Sequence, residues 1–166
     1  MSSRGGNINI KNLDKWQAWL QQCEKEDVDQ CKGRILRSIG LRGLEYAQDF
    51  TPRRTSALAG SLSMGGRGNV FEVTIGNTSH VVFGTNVSYA EYVEEGFTQN
   101  KGQFVPGYWS SGTFHYDPEA DGGMVLTGAT VEGAHMFRKA MDALEAGDID
   151  KIAEFELRRL YANLTK

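Results

Sequence analysis

The chain contains 166 residues, of which 40% are hydrophobic, 18 are basic, 21 are acidic and only two are cysteines. This length and composition are typical of one globular domain and exclude disulfide-rich, collagen-like and low-complexity proteins. The net charge of −3 argues against a dedicated duplex-DNA binder, because such proteins gain most of their affinity by neutralising phosphates. No predominantly apolar run reaches the ~18 residues of a membrane span. No apolar signal segment follows the first methionine, so we expect a protein made in a cytoplasm, with reduced thiols and no membrane association.

Residues 1–9 are polar and contain glycine, which predicts a flexible arm, and residues 10–166 are expected to form a single domain. A first amphipathic helix is predicted from Asn12, its N-cap, to about Glu26. Its apolar residues recur at helical spacing and are Leu13, Trp16, Leu20 and Cys23.

A long second helix is predicted from about Val28 to Phe50. Its buried stripe is expected to consist of Val28, Cys31, Ile35, Ile39, Tyr46 and Phe50. Leu41 and Leu44 point to another side, which either lies between two layers of the fold or contacts another subunit. Thr51-Pro52 ends the helix, because proline disfavours the α conformation of the residue before it.

The hydrophobic period then changes from helical to alternating. Apolar residues alternate with polar ones over 71–75 and predict a half-buried strand, and a second strand is expected over His80–Thr85. The apolar run Val81–Phe83 predicts that this second strand is covered on both faces. A helical turn over 89–95 is expected to end at Gly96.

Residues 97–134 form a long excursion rich in glycine, serine and aromatic residues. Strand-like fragments are predicted near Phe104–Trp109, Thr113–Tyr116 and Met124–Leu126. Two interpretations stay open: an extra hairpin whose rings pack on its own sheet, or an arm that buries them against a neighbouring subunit. The rings concerned are Phe104, Tyr108, Trp109, Phe114 and Tyr116.

Two helices are predicted at the C-terminus, separated by a stop at Gly147-Asp148. The apolar stripe of the first consists of Phe137, Ala140, Met141 and Leu144. That of the second consists of Ile149, Ile152, Ala153, Leu157, Leu160 and Leu164. Phe155 and Tyr161 lie off this stripe and are further candidate subunit contacts.

The sequence contains no recognisable catalytic or metal-binding motif. Three histidines are isolated from one another: His80, His115 and His135. The acidic group at 117–121 resembles the start of a calcium loop, but Gly128 stands where the last ligand of such a loop belongs. We therefore expect no catalytic, metal-binding or cofactor-binding residues, and no cofactor.

Two segments stand out as motifs: residues 51–62 read TPRRTSALAGSL and residues 84–96 read GTNVSYAEYVEEG. The first resembles the TPxxTGxLxxSI segment, and the second the GTNxxYAxYVExG segment, of the gene-product-ten-type tail-component family of long-tailed bacteriophages. With the flanking elements, the resemblance extends over residues 10–165. Ser56 replaces the usual glycine, and the excursion is longer than the family's usual link. The matching motif residues are Thr51, Pro52, Thr55, Leu58, Ser61, Gly84, Thr85, Asn86, Tyr89, Tyr92, Val93, Glu94 and Gly96.

The resemblance implies an α+β fold, in which an antiparallel sheet is flanked by helices and a β-rich excursion precedes the C-terminal helices. It also implies a structural virion protein without enzymatic activity, similar to the lambda minor tail protein Z group. Such a neck or tail-completion subunit joins the head to the tail as a homo-oligomeric ring, with six copies as the first estimate from tail symmetry. The implied partners are other copies, head-completion or connector proteins, tail-tube or tail-terminator proteins, and duplex DNA that passes through without strong binding. Assembly would take place in the host bacterial cytoplasm.

Several motif residues suggest scaffold roles. Gly84 and Gly96 permit sharp changes of backbone direction. Tyr89 and Tyr92 are expected to pack on the sheet, and Asn86 is a natural cap for the short helix that follows it.

Two other functions stay open, a soluble binding module from a decayed prophage and a small hydrolase that uses His80 or His115. The charge distribution bears on assembly, because residues 1–67 carry a net charge of +4 and residues 68–166 one of −7. A positive face of one copy could therefore meet a negative face of the next.

Overall fold

The computed structural model describes residues 25–52 and 56–164. Its helices are α1 (Lys25–Phe50), α2 (Ser56–Ser61), α3 (Ala90–Glu95), α4 (Met136–Ala143) and α5 (Ile149–Leu164), and a kinked segment over Leu144–Asp148 joins the last two. Its strands are β1 (Asn69–Thr74), β2 (His80–Thr85), β3 (Gly96–Thr98), β4 (Phe104–Ser110), β5 (Thr113–Tyr116), β6 (Gly123–Val125) and β7 (Thr130–Glu132). The α+β class is confirmed. The predicted arm 1–9 and nearly all of the predicted helix 12–26 lie outside the described residues.

The described strands form three small antiparallel sheets where one was expected. β1 pairs with β2, β3 pairs with β7, and β4 lies between β5 and β6. The second and third sheets continue one another as a ribbon, because the backbone N–H of Gln99 donates to the carbonyl of Ala129 and that of Gly102 donates to Leu126. The excursion is thus a β-arm. Its strands β4, β5 and β6 lie close to the predicted fragments, whereas β3 and β7 were not predicted.

Helix α1 packs on one face of the β1–β2 sheet through glycines. A Cβ atom at Gly40 would lie 2.6 Å from Val81 Cγ2, and one at Gly43 would lie 2.6 Å from Phe83 Cε2. Without a side chain at these positions, the helix axis can approach the sheet closely. On the opposite face of the sheet Val82 is 45% exposed, so the prediction that β2 is covered on both faces is wrong.

The largest cluster of buried residues lies where α1, α2 and α4 meet, and it contains Leu44, Ala47, Leu58, Leu62, Met136 and Ala140. Leu44 was a candidate subunit contact, but it is only 3% exposed and belongs to this core. Phe50, which was expected in the buried stripe, is exposed. The predicted stripe is wrong because it follows the large apolar residues of α1, whereas the side of the helix that meets the sheet consists mainly of small residues.

The chain turns sharply between α4 and α5 at Gly147, whose φ of 139° favours glycine and agrees with the predicted stop. The next residue, Asp148, ties this turn to α1. Its carboxylate accepts hydrogen bonds from the Tyr46 hydroxyl at 2.7 Å and from Arg42 Nε at 3.1 Å. These bonds, the one from Tyr46 foremost, lower the pKa of Asp148.

A buried ion pair joins α5 to α1. Glu156 is only 6% exposed, and its carboxylate lies 2.7 Å from Nε of Arg34. Cys31 is buried beside the pair, and burial raises the pKa of its thiol. Leu157, which was expected in the buried stripe of α5, is exposed, as is Met141 of α4. The hydrophobic pattern could not reveal that a paired glutamate takes a buried position.

Candidate functional site

The two sequence motifs meet in space. Ser61 at the end of α2 is buried, and its hydroxyl lies 2.6 Å from that of Thr85 at the end of β2. Leu58, one turn earlier, is fully buried in the core. At the start of the first motif, the Thr51 hydroxyl donates to the carbonyl of Ala47 at 2.6 Å and so closes the last turn of α1. Thr55 lies outside the described residues.

Glu94 of the second motif caps helix α4, which begins more than forty residues later. Its two carboxylate oxygens accept hydrogen bonds from the backbone N–H groups of Phe137, at 3.0 Å, and Arg138, at 3.2 Å. The first N–H groups of a helix have no partner within the helix, and a carboxylate also interacts favourably with the positive end of the helix dipole. Glu94 therefore ties α3 to the point where the chain returns from the β-arm.

Gly96 ends the second motif and begins the β-arm. Its φ is 78°, and a Cβ atom there would lie 2.6 Å from the backbone nitrogen of Gly133. Gly133 is equally constrained, because its Cβ atom would lie 2.9 Å from the nitrogen of Gly96. At the base of the β-arm, the outgoing and returning strands therefore approach each other so closely that only glycines fit at these two positions. Gly84, the other motif glycine, is buried, and a Cβ atom there would touch the Phe137 ring at an ordinary distance of 3.8 Å.

Beside this close approach of β3 and β7 lies an open apolar groove of about 520 Å³. We call it the base groove, and it is lined by Pro52, Tyr89, Tyr92, Val93, Phe97, Val131, Glu132 and Ala134. Tyr92 is 60% exposed and meets Phe97 edge to face, with 6.0 Å between ring centroids. Tyr89 and Tyr92 thus line a groove instead of packing on the β1–β2 sheet, because α3 lies beside the β-arm.

Asn86 does not have the predicted capping role. The N-cap position of α3 is occupied by Tyr89, without a side-chain hydrogen bond, and Asn86 is exposed. The backbone N–H of Asn86 instead donates to the carbonyl of Gly68. The capping prediction failed because the helix begins later than the sequence suggested.

The β-arm carries aromatic rings on both faces of its outer sheet. Four rings are more than half exposed, those of Phe104, Tyr108, Trp109 and Tyr116, and Phe114 lies half-buried against Trp109 with 5.4 Å between centroids. The strands of this sheet pack mainly on one another. Four of the five rings are therefore not buried within the subunit, as the first interpretation expected them to be, and their burial against a neighbouring subunit stays a prediction.

The remaining candidate contacts are also on the surface. Leu41 on α1, and Phe155 and Tyr161 on α5, are all exposed. Arg158 and Arg159 lie three and four residues after Phe155 and so share its face of α5. Leu41 borders the Asp148 turn together with Arg42.

The described residues hold no group of histidine, cysteine, aspartate and glutamate that could bind a metal ion. His80 is exposed at the start of β2, and His115 stacks on Tyr108 with 5.4 Å between ring centroids. His135 precedes α4 in the left-handed conformation, with a φ of 52°. In the part of the chain that the structure describes, no helix is both long enough and apolar enough to cross a membrane.

Sequence reasoning missed the roles of four residues at this site. Glu94 caps α4, Gly133 permits the close approach at the base of the β-arm, and Phe97 and Val131 line the groove. Gly133 is one of several glycines in the excursion, and nothing local distinguishes it from the others. Phe97 and Val131 are each a single apolar residue between polar or glycine neighbours, which is too short a pattern to mark a strand.

A comparison with protein-family models gives a match over residues 14–96, half of the chain, to the family described as "Bacteriophage HK97-gp10, putative tail-component". The match is shorter than the resemblance over 10–165 and ends at Gly96, where the β-arm begins. Searches of curated proteins and of solved structures gave no match.

Proposed function

Because this chain belongs to the HK97 gp10-like family of bacteriophage tail components, we propose that it is a neck or tail-completion subunit that joins the phage head to the tail. In this role it acts by assembly, without catalytic turnover. Its partners are other copies of itself, head-completion or connector proteins on one side, and tail-tube or tail-terminator proteins on the other. It is assembled in the host cytoplasm and stays in the virion.

The observation that supports this proposal is the β-arm, a projecting sheet with exposed rings on both faces. Isolated exposed apolar residues are ordinary, but a cluster of aromatic rings on a glycine-bounded arm is typical of a surface that becomes buried in an assembly. Since the arm and the scaffold at its base are different surfaces of one chain, contacts between copies would be heterologous. Heterologous contacts form a closed ring when the rotation between copies closes, and six copies would match the symmetry of a tail.

The proposal is tested with a phage in which this gene is deleted. We expect DNA-filled heads and complete tails that remain separate, and joining that is restored when the purified chain is added. Electron microscopy and plaque assays measure both outcomes. Joined, infectious particles that lack the chain would rule out the joining role, and a single copy in the neck, seen by cryo-electron microscopy and native mass spectrometry, would rule out the ring.

A further inference from the structure

One face of the arm's outer sheet forms an uncharged aromatic knob. Residues that lie opposite each other on antiparallel strands share a face, and so do residues two apart on one strand. Trp109 lies opposite Phe114, and Gly107 lies opposite Tyr116, so these positions share one face. Trp109 is 61% exposed and Tyr116 is 66% exposed. The hairpin tip beside them, residues 110–113, carries no charge, so its burial would leave no ion unpaired.

The base groove has matching chemistry. Its lining contains three aromatic rings, those of Tyr89, Tyr92 and Phe97, and a single charged residue, Glu132. Its volume of about 520 Å³ leaves room for more than one aromatic side chain. Buried aromatic anchors that fill apolar pockets are the usual centres of protein interfaces.

The arm of the same chain does not reach this groove. The ribbon bends at residues 100–103, where the N–H of Gln103 donates to the carbonyl of Asn100. At ~3.3 Å per residue, Phe97 lies roughly 10 Å before this bend and Trp109 roughly 20 Å beyond it. No residue of β4 or β5 lines the groove. Folding back over the groove would require complete closure of the ribbon at this bend. It would also break the hydrogen bonds that Gly102 and Gln103 form with Leu126.

We propose that the aromatic knob of one copy, formed by Trp109, Phe114 and Tyr116, occupies the base groove of the next copy. This inference rests on the proposed function in one respect, since both require a homo-oligomer. Complete coverage of the exposed parts of the knob and groove side chains would remove at most roughly 700 Å² of apolar surface from water. At the usual apolar share of an interface this corresponds to roughly 1,200 Å² in total, which is the lower end of the range for stable complexes. The contact is heterologous, so an open chain of copies has a free groove at one end and a free knob at the other until the ring closes.

Two variants on different surfaces test the proposal by complementation. Trp109→Glu disables the knob and Tyr92→Glu disables the groove, and both side chains are exposed, so both variants should fold. We expect the self-association constant of each variant to fall at least about 30-fold, as for an aromatic hot spot. An equimolar mixture should recover a one-to-one dimer that grows no further, because one intact knob and one intact groove remain. Sedimentation velocity and native mass spectrometry distinguish these species.

Val82→Glu is the matched control, because Val82 is 45% exposed on the open face of the β1–β2 sheet and belongs to neither the knob nor the groove. It should associate like the unmodified chain. If the unmodified chain forms rings and both test variants do too, this inference is wrong and the proposed function stands. If the unmodified chain is monomeric both alone and in the virion, the ring fails together with this inference. A photoreactive residue at position 109 should cross-link in assembled particles to the groove of another copy, and a cross-link to a different virion protein would overturn the proposal.

Discussion

Glu94 shows how one motif residue can hold two distant parts of the chain. It lies in α3, yet its carboxylate accepts the backbone N–H groups of Phe137 and Arg138 at the start of α4. Next to it, the backbone N–H groups of Ala134 and His135 donate to the carbonyls of Val93 and Glu94. These bonds close the base of the β-arm, so the motif glutamate fixes where the arm leaves the body of the subunit.

Replacing Glu94 should therefore destabilise the fold at the base of the arm. We expect Glu94→Ala to lower the free energy of unfolding by about 1–2 kcal/mol, because two N–H groups lose a charged acceptor. Glu94→Gln should cost less, since an amide oxygen can still accept one of the bonds. Urea denaturation measures the change. The control is Glu95→Ala, whose exposed ion pair with Arg138 at 3.9 Å should contribute no more than ~0.5 kcal/mol. Equal losses in the Glu94→Ala and Glu95→Ala variants would contradict the capping role.

At the scale of the elements, α1 is organised by small residues on the side that meets the sheet. Gly40, Gly43 and Ala47 are buried there, and large side chains are supplied from the sheet by Phe71 and Phe83. The helix accepts glycines in its interior, although each costs helical stability, because a Cβ atom would overlap the rings. Close approach to the sheet thus outweighs helix propensity at these positions.

Two glycines of α1 allow this balance to be measured in one helix. Gly43→Ala should destabilise the protein by about 1–3 kcal/mol, because the new methyl group overlaps the Phe83 ring. Gly33→Ala should instead stabilise it by up to ~1 kcal/mol, since its methyl group would meet Ile75 at an ordinary 3.9 Å and would improve helix propensity. Thermal and urea denaturation of both variants measure the two effects. A stabilised Gly43→Ala variant would show that the helix does not approach the sheet this closely.

At the scale of the whole molecule, the part that matches the family and the part that does not are interdependent. The family match ends at Gly96, yet the core of that region includes Met136 and Ala140 of α4. Helix α5 is also tied to α1, through the Arg34–Glu156 pair. The C-terminal helices therefore complete the matched domain, while the β-arm between them and the match projects from it.

A subunit that surrounds a DNA path should bind the duplex weakly, because strong phosphate contacts would hinder passage. The net charge of −3 agrees with this expectation. We expect fluorescence anisotropy to show no submicromolar binding to duplex DNA, and only a small change between ~50 and ~200 mM salt. Tight binding that weakens steeply with salt would contradict this expectation and would indicate that the subunit binds the phosphates of the genome directly.

The amino-acid sequence by itself determined the features that depend on neighbouring residues. The end of α1 at Phe50, the two strands that follow, the stop at Gly147 and strands β4, β5 and β6 of the β-arm follow from periodicity, proline or glycine within a few positions. The start of α1 and strands β3 and β7 do not. Both motifs were also recognisable as linear patterns. These signals are local, so they hold whatever the chain later packs against.

Only the tertiary structure decided which surfaces are buried and which residues meet. Leu44 belongs to the core, Glu156 is buried in an ion pair, and Glu94 caps a helix more than forty residues away. Hydrophobic periodicity reports which residues avoid water, but it cannot report which partner covers them or where a small residue is needed. Burial and pairing depend on contacts between distant segments, and those contacts exist only once the chain has folded.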